Sequence, residues 1–424
     1  MSLPRLLGQL RVDSAAPVEL RRHRDTMPAP PGTAGRGDAR LIAMVSDAGL
    51  RGRGGGAFPT GRKMATVAGN TGRPIVVVNG AEGEPASSKD RLLLGRLPHL
   101  VLDGALAAAA AVGADEVVVG LDRKAVRSRD AILVALDERH RAGERHVPVA
   151  LVDLPSRFVA GEESALVHAI NGGETKPTGT RQRVFVRGVD RRPTMVSNAE
   201  TYAHIAQIVQ RGPDWFREHG TEDEPGTLLV TMSGDVRRPG VCEVASGSLV
   251  ADVLAIAGGT NDELQALLVG GYYGAWLSST DAARSRLINA DLRPLGASIG
   301  CGALVALPAS SCALIETARV LRWMAGETAG QCGPCVHGLP ALAGAMDDLA
   351  TGTGGRQTVA NLHRWSTMID GRGGCTFPDG AVRLVRSTLR VFAADVEHHA
   401  NHGFCHRVNT PTVMRIPEPE VAWR

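Results

Sequence analysis

Aromatic side chains are scarce in this chain of 424 residues, at 4% of the total, with seven Phe, three Tyr and five Trp. A broad surface on which nucleic-acid bases could stack is therefore not expected. Long apolar runs are missing as well. The stretch Leu100–Val112 is too short and too rich in alanine to cross a bilayer, which takes about 18 residues or more. Charge of one sign is also lacking, because 47 Lys and Arg against 44 Asp and Glu leave a net +3. That balance gives no general attraction to nucleic acid or to an anionic membrane. The opening residues, MSLPRLLGQLRVDS, hold no apolar signal core, which predicts cytoplasmic residence. Seven cysteines, an odd number unevenly spread, do not describe a disulfide framework, so some are available for metal or redox chemistry.

What is present is an ordinary globular composition, 43% hydrophobic and 21% charged, with 51 glycines. The length predicts two to four domains. Residues 1–38, rich in Arg, Pro and Ala and carrying Arg21-Arg22-His23-Arg24, read as a flexible N-terminal arm. From 39 to 225, short β-branched runs (Ile75–Val78, Glu116–Gly120 and Val147–Val152) alternate with helical segments such as Leu100–Val112. That alternation predicts an α/β domain on a parallel sheet. Residues 226–310 read as a small β-grasp-like module, with strands at Thr227–Met232 and Leu267–Gly271 around a helix over Ser248–Ala257 that stops at Gly258-Gly259. Residues 311–400 read as a helical bundle, with segments at Ala313–Ala325 and near 336–351, 356–369 and 378–400. Cys332, Cys335 and Cys375 fall in its inter-helix loops, and 401–424 form a C-terminal tail.

Three stretches of the α/β unit carry chemistry. In the run from Leu50 to Lys63, Gly52, Gly54, Gly55 and Gly56 allow a ligand close to the backbone, and Pro59-Thr60 suits a helix start that favours phosphate, with Lys63 one turn in. The run matches neither a Walker A loop nor a Rossmann fingerprint, and a glycine-rich loop alone serves equally as a flexible connection. In the second stretch a strand ends at Asn79, followed by Glu82 and Glu84 and then Lys89-Asp90-Arg91, at the strand edge where open α/β sheets place ligands. The third, Phe158 to Leu166, opens a helix with Gly161-Glu162-Glu163; its adjacent carboxylates point apart and are no glycosidase pair.

In this order, together with Pro193-Thr194, Ser197-Asn198, Glu200-Thr201 and the late cysteines, these motifs resemble the flavin-bearing, NADH-oxidising subunit of respiratory complex I. They also resemble its relatives in NAD-dependent hydrogenases and formate dehydrogenases. Asn79-Gly80-Ala81-Glu82 is similar in form to the flavin-carrying subunit of the Rnf ferredoxin–NAD oxidoreductases. The resemblance spans about 40–395 and implies an FMN-binding parallel-sheet domain, a soluble-ligand-binding (SLBB-like) β-grasp module and an iron–sulfur helical domain. It implies FMN held by the glycine loop, Lys63, Asn79, Glu82, Gly161, Glu162, Ser197 and Asn198. A nicotinamide would lie near Phe58, Glu84 and Glu163, with Glu84 and Glu163 orienting it for hydride transfer. Single electrons would leave through a 4Fe-4S-type cluster on Cys332, Cys335 and Cys375. The implied donor is NADH or NADPH. The acceptor is a ferredoxin-like or iron–sulfur subunit, with any contact to an inner-membrane complex made through other subunits.

The sequence also departs from that family. Ala81 stands where the family has Asp, Phe158 and Ala160 where it has Tyr and Cys, and Thr66 where a Phe stacks adenine. Thr180–Val184 replaces a K-P-P-F-P segment, with Arg181 and Arg183 as substitutes for the lost stacking or as receivers of a 2′-phosphate. Ala329 takes the first cluster-ligand position, so a fourth ligand is open and His337 is the nearest spare imidazole. Three alternatives stay open on these residues: a zinc site at the same cysteines, thiol exchange at Cys332-Gly-Pro-Cys335, and a catalytically silent relay or assembly subunit.

Overall fold

The computed structural model describes residues 3–11, 14–29, 37–179, 183–418, 420 and 422–423. The first domain follows a short helix α1 (Leu20–Arg24) with α2 (Ala39–Asp47), α3 (Thr60–Ala68), strand β1 (Ile75–Gly80), α4 (Lys89–Arg96), α5 (Pro98–Val112), β2 (Val117–Asp122), α6 (Val126–Arg141), β3 (Val149–Leu154), α7 (Glu163–Ile170), β4 (Thr194–Asn198), α8 (Ala199–Arg211) and α9 (Pro213–Arg217). Its strands form a fully parallel sheet in the order β3-β2-β1-β4. β1 is apolar and fully buried over Ile75–Val78, as expected of a central parallel strand covered on both faces. β4 was not among the expected strands; only Met195 and Val196 are large and apolar in it, and its pairing with β1 defines it.

Helix α5 is buried along its whole length, so its alanine run serves close packing. At Gly104 the backbone of α8 comes so near that an added Cβ would lie 1.7 Å from the Tyr202 carbonyl oxygen. The same helix carries the buried Asp103, which accepts hydrogen bonds from His23 (2.8 Å), Arg24 (2.6 Å) and Arg139 (2.6 Å). Burial alone would raise this carboxyl, yet its cationic partners hold it well below the usual carboxylate range. The arm expected to be flexible is therefore docked in its described part. Leu6, Val18, Leu20, His23 and Met27 are buried, because the basic cluster answers a buried charge that cannot be left unpaired.

The second module contains β5 (Thr227–Gly234), β6 (Gly240–Ala245), α10 (Val250–Ile256), β7 (Leu264–Val269), β8 (Ala275–Ser278), α11 (Ser279–Arg284), α12 (Asn289–Leu292) and β9 (Ala303–Pro308). Its mixed sheet runs β6-β5-β9-β7-β8. The helical domain follows with α13 (Ala313–Gly326), a π-helical turn (Pro334–Gly338), α14 (Leu339–Ala350), α15 (Arg356–Ile369), α16 (Phe377–Val391) and α17 (Ala393–His402). The segment expected as one helix over 378–400 is two. The chain leaves helical geometry at Phe392, whose buried ring packs edge-on against Trp276 of the second module, with centroids 5.5 Å apart. Among the described residues no single helix is long and apolar enough to cross a membrane.

Replacing Gly104 by Ala is expected to force α5 and α8 apart and cost about 3 kcal/mol, at the upper end of overpacking penalties. Gly344, in the middle of α14, has open space around its Cβ position. Its replacement by Ala should stabilise by about 0.5–1 kcal/mol. Thermal melts of the two variants in parallel check this, and equal melting temperatures would contradict the packing account.

Candidate functional site

In the sheet order β3-β2-β1-β4 the winding reverses between β1 and β4, and open sheets bind ligands beyond the strand ends at such a reversal. Asn79 and Asn198 are register partners at those two ends. Asn79 Nδ2 donates to the Gly161 carbonyl (2.8 Å), tying the third sequence motif to the second. Asn198 caps α8 by accepting from the Thr201 N–H, while its Nδ2 donates to both oxygens of Asp90.

Above this edge lies the glycine loop. Its base is closed by hydrogen bonds from Gly52 N–H to the Phe58 carbonyl (2.9 Å) and from Thr60 N–H to the Leu50 carbonyl (2.8 Å). At its tip the N–H groups of Gly54, Gly55 and Gly56 meet no acceptor among the described residues. The loop is held by one buried ionic hub. Lys89 Nζ donates to the Arg53 carbonyl (2.6 Å) and pairs with Glu200, and the other Glu200 oxygen accepts the Leu229 N–H of β5 (2.8 Å). The Arg53 guanidinium reaches the Thr227 carbonyl (2.9 Å). Ala57 and Glu82 are held at φ +47° and +40°, strain of about 1–3 kcal/mol each that the surrounding contacts sustain.

The loop tip, the two strand ends and the Gly161 turn border a cleft of about 470 Å³, within the range of small-molecule and cofactor sites. All three domains line it. The second module contributes Gly270, Tyr273, Ser298, Gly300 and Cys301, and the helical domain contributes Cys375, Phe377, Asp379 and Arg383. The few aromatics gather here: the Phe158 ring lies 5.8 Å from Tyr273 and 5.2 Å from Phe377, centroid to centroid. Carboxylates outnumber cations in the lining. Of the two cations, Lys89 is committed to the hub, and Arg383 donates to the Tyr273 carbonyl (2.7 Å). Glu82 is spent on the start of α4, accepting from Ser87 Oγ and the N–H groups of Asp90 and Arg91. Glu162 likewise caps α7. Glu84 is buried and accepts the Ala86 and Tyr272 N–H groups; its burial pushes the carboxyl up to about 7 against that stabilisation.

Of the expected site residues, Gly54, Gly55, Gly56, Asn79, Glu82, Glu84, Gly161, Glu162, Asn198 and Cys375 line the cleft. Gly52, Phe58, Lys63, Glu163 and Ser197 do not. Lys63 Nζ turns to Glu163 (3.2 Å) and the Val196 carbonyl (2.8 Å), so these two expected ligand groups neutralise each other. Phe58 stands 47% exposed under the Arg62 guanidinium. Lys89 and Asp90 were noted in the sequence only as followers of the Glu pair. Tyr273, Cys301 and Phe377 were not anticipated, because they come from other domains and share no local pattern with the loop. Arg181 lies outside the described residues, and the exposed Arg183 is not in the lining.

Cys335 is buried, and Cys332 and Cys375 are half-buried beside it. Burial first, and then the neighbouring sulfurs of Cys332 and Cys375, push the Cys335 thiol up to about 12. The ligand atoms of the three do not draw within 4.8 Å of one another, closer spacing being needed around a single ion. That disfavours the zinc reading and leaves room for a larger inorganic core. Cys332 and Cys335 approach along a loop and a π-helical turn with no strand before them, which does not suit a thioredoxin-type site. His337 is exposed and forms no metal-type group with these sulfurs.

Comparison with known proteins identifies the architecture. Residues 45–207 match the Nuo51 FMN-binding domain, 229–271 the SLBB domain, and 316–399 the NADH-ubiquinone oxidoreductase-F iron-sulfur binding region. The NADH-quinone oxidoreductase F-subunit of Mycobacterium tuberculosis (strain ATCC 25618 / H37Rv) is 31% identical over 386 residues, covering 86% of this chain and 85% of that one. The chain belongs to the NADH-quinone oxidoreductase F-subunit family. The F-subunit of Streptomyces coelicolor is 30% identical, with 86% and 84% covered. A solved NAD+-reducing [NiFe]-hydrogenase in its air-oxidized state has a chain of like fold, with a TM-score of 0.80 at 28% identity, covering 91% of this chain and 68% of that one. Proteins of this family are FMN- and iron–sulfur-containing NADH-oxidising electron-transfer subunits, and this member carries both cofactor regions. Within the F-subunit frame, the departures Ala81 and Ala160 fall together in one buried apolar cluster with Val77 and Leu166, below the cleft floor. They form packing contacts there, and the polar edge above is left to Asn79 and Asn198.

Because the folded chain keeps the Glu84 proton up to about 7 while the free side chain loses it near 4.5, folding stability should fall as pH rises between those values. Glu84→Gln removes that titration at nearly constant volume. Its melting temperature relative to wild type is expected to climb from about pH 5 to about pH 8, by an equivalent of roughly 3 kcal/mol. Parallel stability curves for the two proteins would contradict the assignment.

Proposed function

We propose that the three-domain cleft receives FMN and the nicotinamide of NADH, and that electrons leave across its helical-domain wall through the cluster held by Cys332, Cys335 and Cys375. One observation carries this reading: Cys375 lines the same cleft as the glycine loop, so the two cofactor regions share a wall. The cradle fits a flavin. Gly54, Gly55 and Gly56 offer unpaired N–H groups without side chains, as a phosphate requires. Asn79 and Asn198 place amides at the strand ends, where a heteroaromatic edge would be met. Bound there, FMN supplies the conversion of a hydride into single electrons. Glu84, poised near neutrality, orients a carboxamide by donating or accepting at its Oε atoms, and Phe158 and Tyr273 close the site against water. Lys63 and Glu163 act from behind the lining by fixing the start of α7.

NADH is favoured over NADPH as the donor. The described lining holds more carboxylates than cations, and of its two cations Lys89 is committed to Glu200, so a 2′-phosphate would meet a cleft mostly of its own sign. A lost charge-assisted hydrogen bond is worth about tenfold or more in kcat/KM. The acceptor is a ferredoxin-like or iron–sulfur subunit, since single electrons leave through a cluster. With Ala329 in place of a thiol, Cys332, Cys335 and Cys375 would hold the cluster and leave one position to a non-cysteine donor.

Anaerobically purified protein is expected to show flavin absorption bands together with an iron–sulfur EPR signal that appears on adding NADH. It should reduce an artificial acceptor with NADH well ahead of NADPH. Cys375→Ser should keep the flavin bands and lose the EPR signal. Flavin without iron would overturn the electron exit, and a loaded protein inert to both nucleotides would establish a silent relay subunit instead.

A further inference from the structure

The tightest group of metal-type ligands lies away from the cleft. Cys312, the residue before α13, His399 of α17 and Cys405 just beyond α17 are all buried, and their ligand atoms lie within 4.8 Å of one another. His399 Nδ1 is 3.0 Å from the Leu349 carbonyl, to which it can only donate. Its Nε2 is thereby the lone-pair nitrogen; it faces Cys312 Sγ at 3.7 Å and accepts the Cys405 N–H at 3.3 Å, a long bond that an ion would displace. This is the arrangement in which a backbone carbonyl sets the tautomer of a ligating imidazole. Zinc legs of about 2.3 Å to sulfur and about 2.0 Å to nitrogen, at tetrahedral angles, give an S···N edge of about 3.5 Å. A single S–H···N hydrogen bond would account for one sulfur at this nitrogen, whereas here two converge.

We propose that Cys312, His399 and Cys405 bind a zinc ion, separate from the iron–sulfur cysteines and independent of the flavin reading. Binding releases one proton from each thiol to solvent. The ion and two thiolates then sum to zero charge, which makes burial tolerable. A water completes the tetrahedron, since no fourth ligand joins the group among the described residues. The nearby Arg407 pairs with Asp395 and also reaches the Cys405 sulfur, where it would donate a hydrogen bond to the bound thiolate. Leu349 sits near the C-terminal end of the 12-residue α14, and Cys335 just before its N-terminal end, so the two centres are roughly 18 Å apart along the helix.

The ion fastens the start of α13 and the end of α17 to the chain that follows. That chain then runs back over the molecule. Val413 N–H donates to Glu316 (2.6 Å), the Arg415 carbonyl accepts from Tyr272 (2.5 Å), and the Trp423 ring stacks under Arg157, next to Phe158 of the cleft wall (4.0 Å).

The test is metal analysis and zinc-edge X-ray absorption on the wild-type holoprotein, expressed with zinc supplied. One zinc per chain is expected beside the iron, with two sulfurs and at least one imidazole nitrogen in its first shell. Cys312→Ser and His399→Gln should each lose it, while Cys332→Ser keeps it. Absence of zinc from folded wild-type protein would overturn the proposal, and so would a shell of three sulfurs without imidazole, which marks zinc in the cluster cysteines. The wild-type measurements decide the matter even if the variants fail to fold.

Discussion

Lys89 and Glu200 are nearly sealed from solvent, at 2% and 0% exposure, and the cleft depends on their contact. Two charges out of water are tolerated only when their remaining valences are used, and here they are. Lys89 also holds the carbonyl of Arg53 in the glycine loop, and Glu200 holds the first strand of the second module at Leu229. Burial alone would raise the Glu200 carboxyl, yet Lys89, His204 and Arg53 keep it well below its usual range. One ion pair thus fixes the loop, α4, α8 and β5 in register. Losing either partner would leave a bare buried charge, a cost of about 3–5 kcal/mol. The glycine loop is positioned by charge from below, and this leaves its tip free of side chains and its N–H groups unspent.

The fold was largely legible in the sequence because β-branched runs and helical periodicity are local signals. Val76–Val78 declared a buried strand, and the glycines after Leu50 declared a close-approach loop. The cleft was half legible. Asn79, Glu84 and Gly161 announce themselves by standing at a strand end or a helix start. Tyr273, Cys301 and Phe377 arrive through tertiary packing, which no window of sequence contains. The N-terminal arm misled for a related reason: its arginines look solvated until Asp103, buried on α5, is found between His23, Arg24 and Arg139. Lys63 stands one turn into a helix, the right place for a phosphate contact, and its ammonium meets Glu163, a pairing that no local pattern announced.

The changes from the family pattern sort by depth. Ala81 and Ala160 are absorbed into the apolar floor, and Phe158 keeps an aromatic face against Tyr273 and Phe377. Ala329 removes a thiol ahead of Cys332 and Cys335, which lie beside the cleft-lining Cys375. Cofactor binding and electron exit therefore rest on parts of the chain that differ in how far they have diverged, with the flavin cradle the less altered of the two.

Hydrogen–deuterium exchange of the flavin-free chain, before and after adding FMN, tests the central claim most directly. Protection is expected to concentrate at the amides of Gly54–Ala57, with smaller protection near Asn79–Ser87 and Ser298–Cys301, and none along the far strand Val149–Leu154. No protection at the glycine loop in a preparation that binds FMN would contradict it.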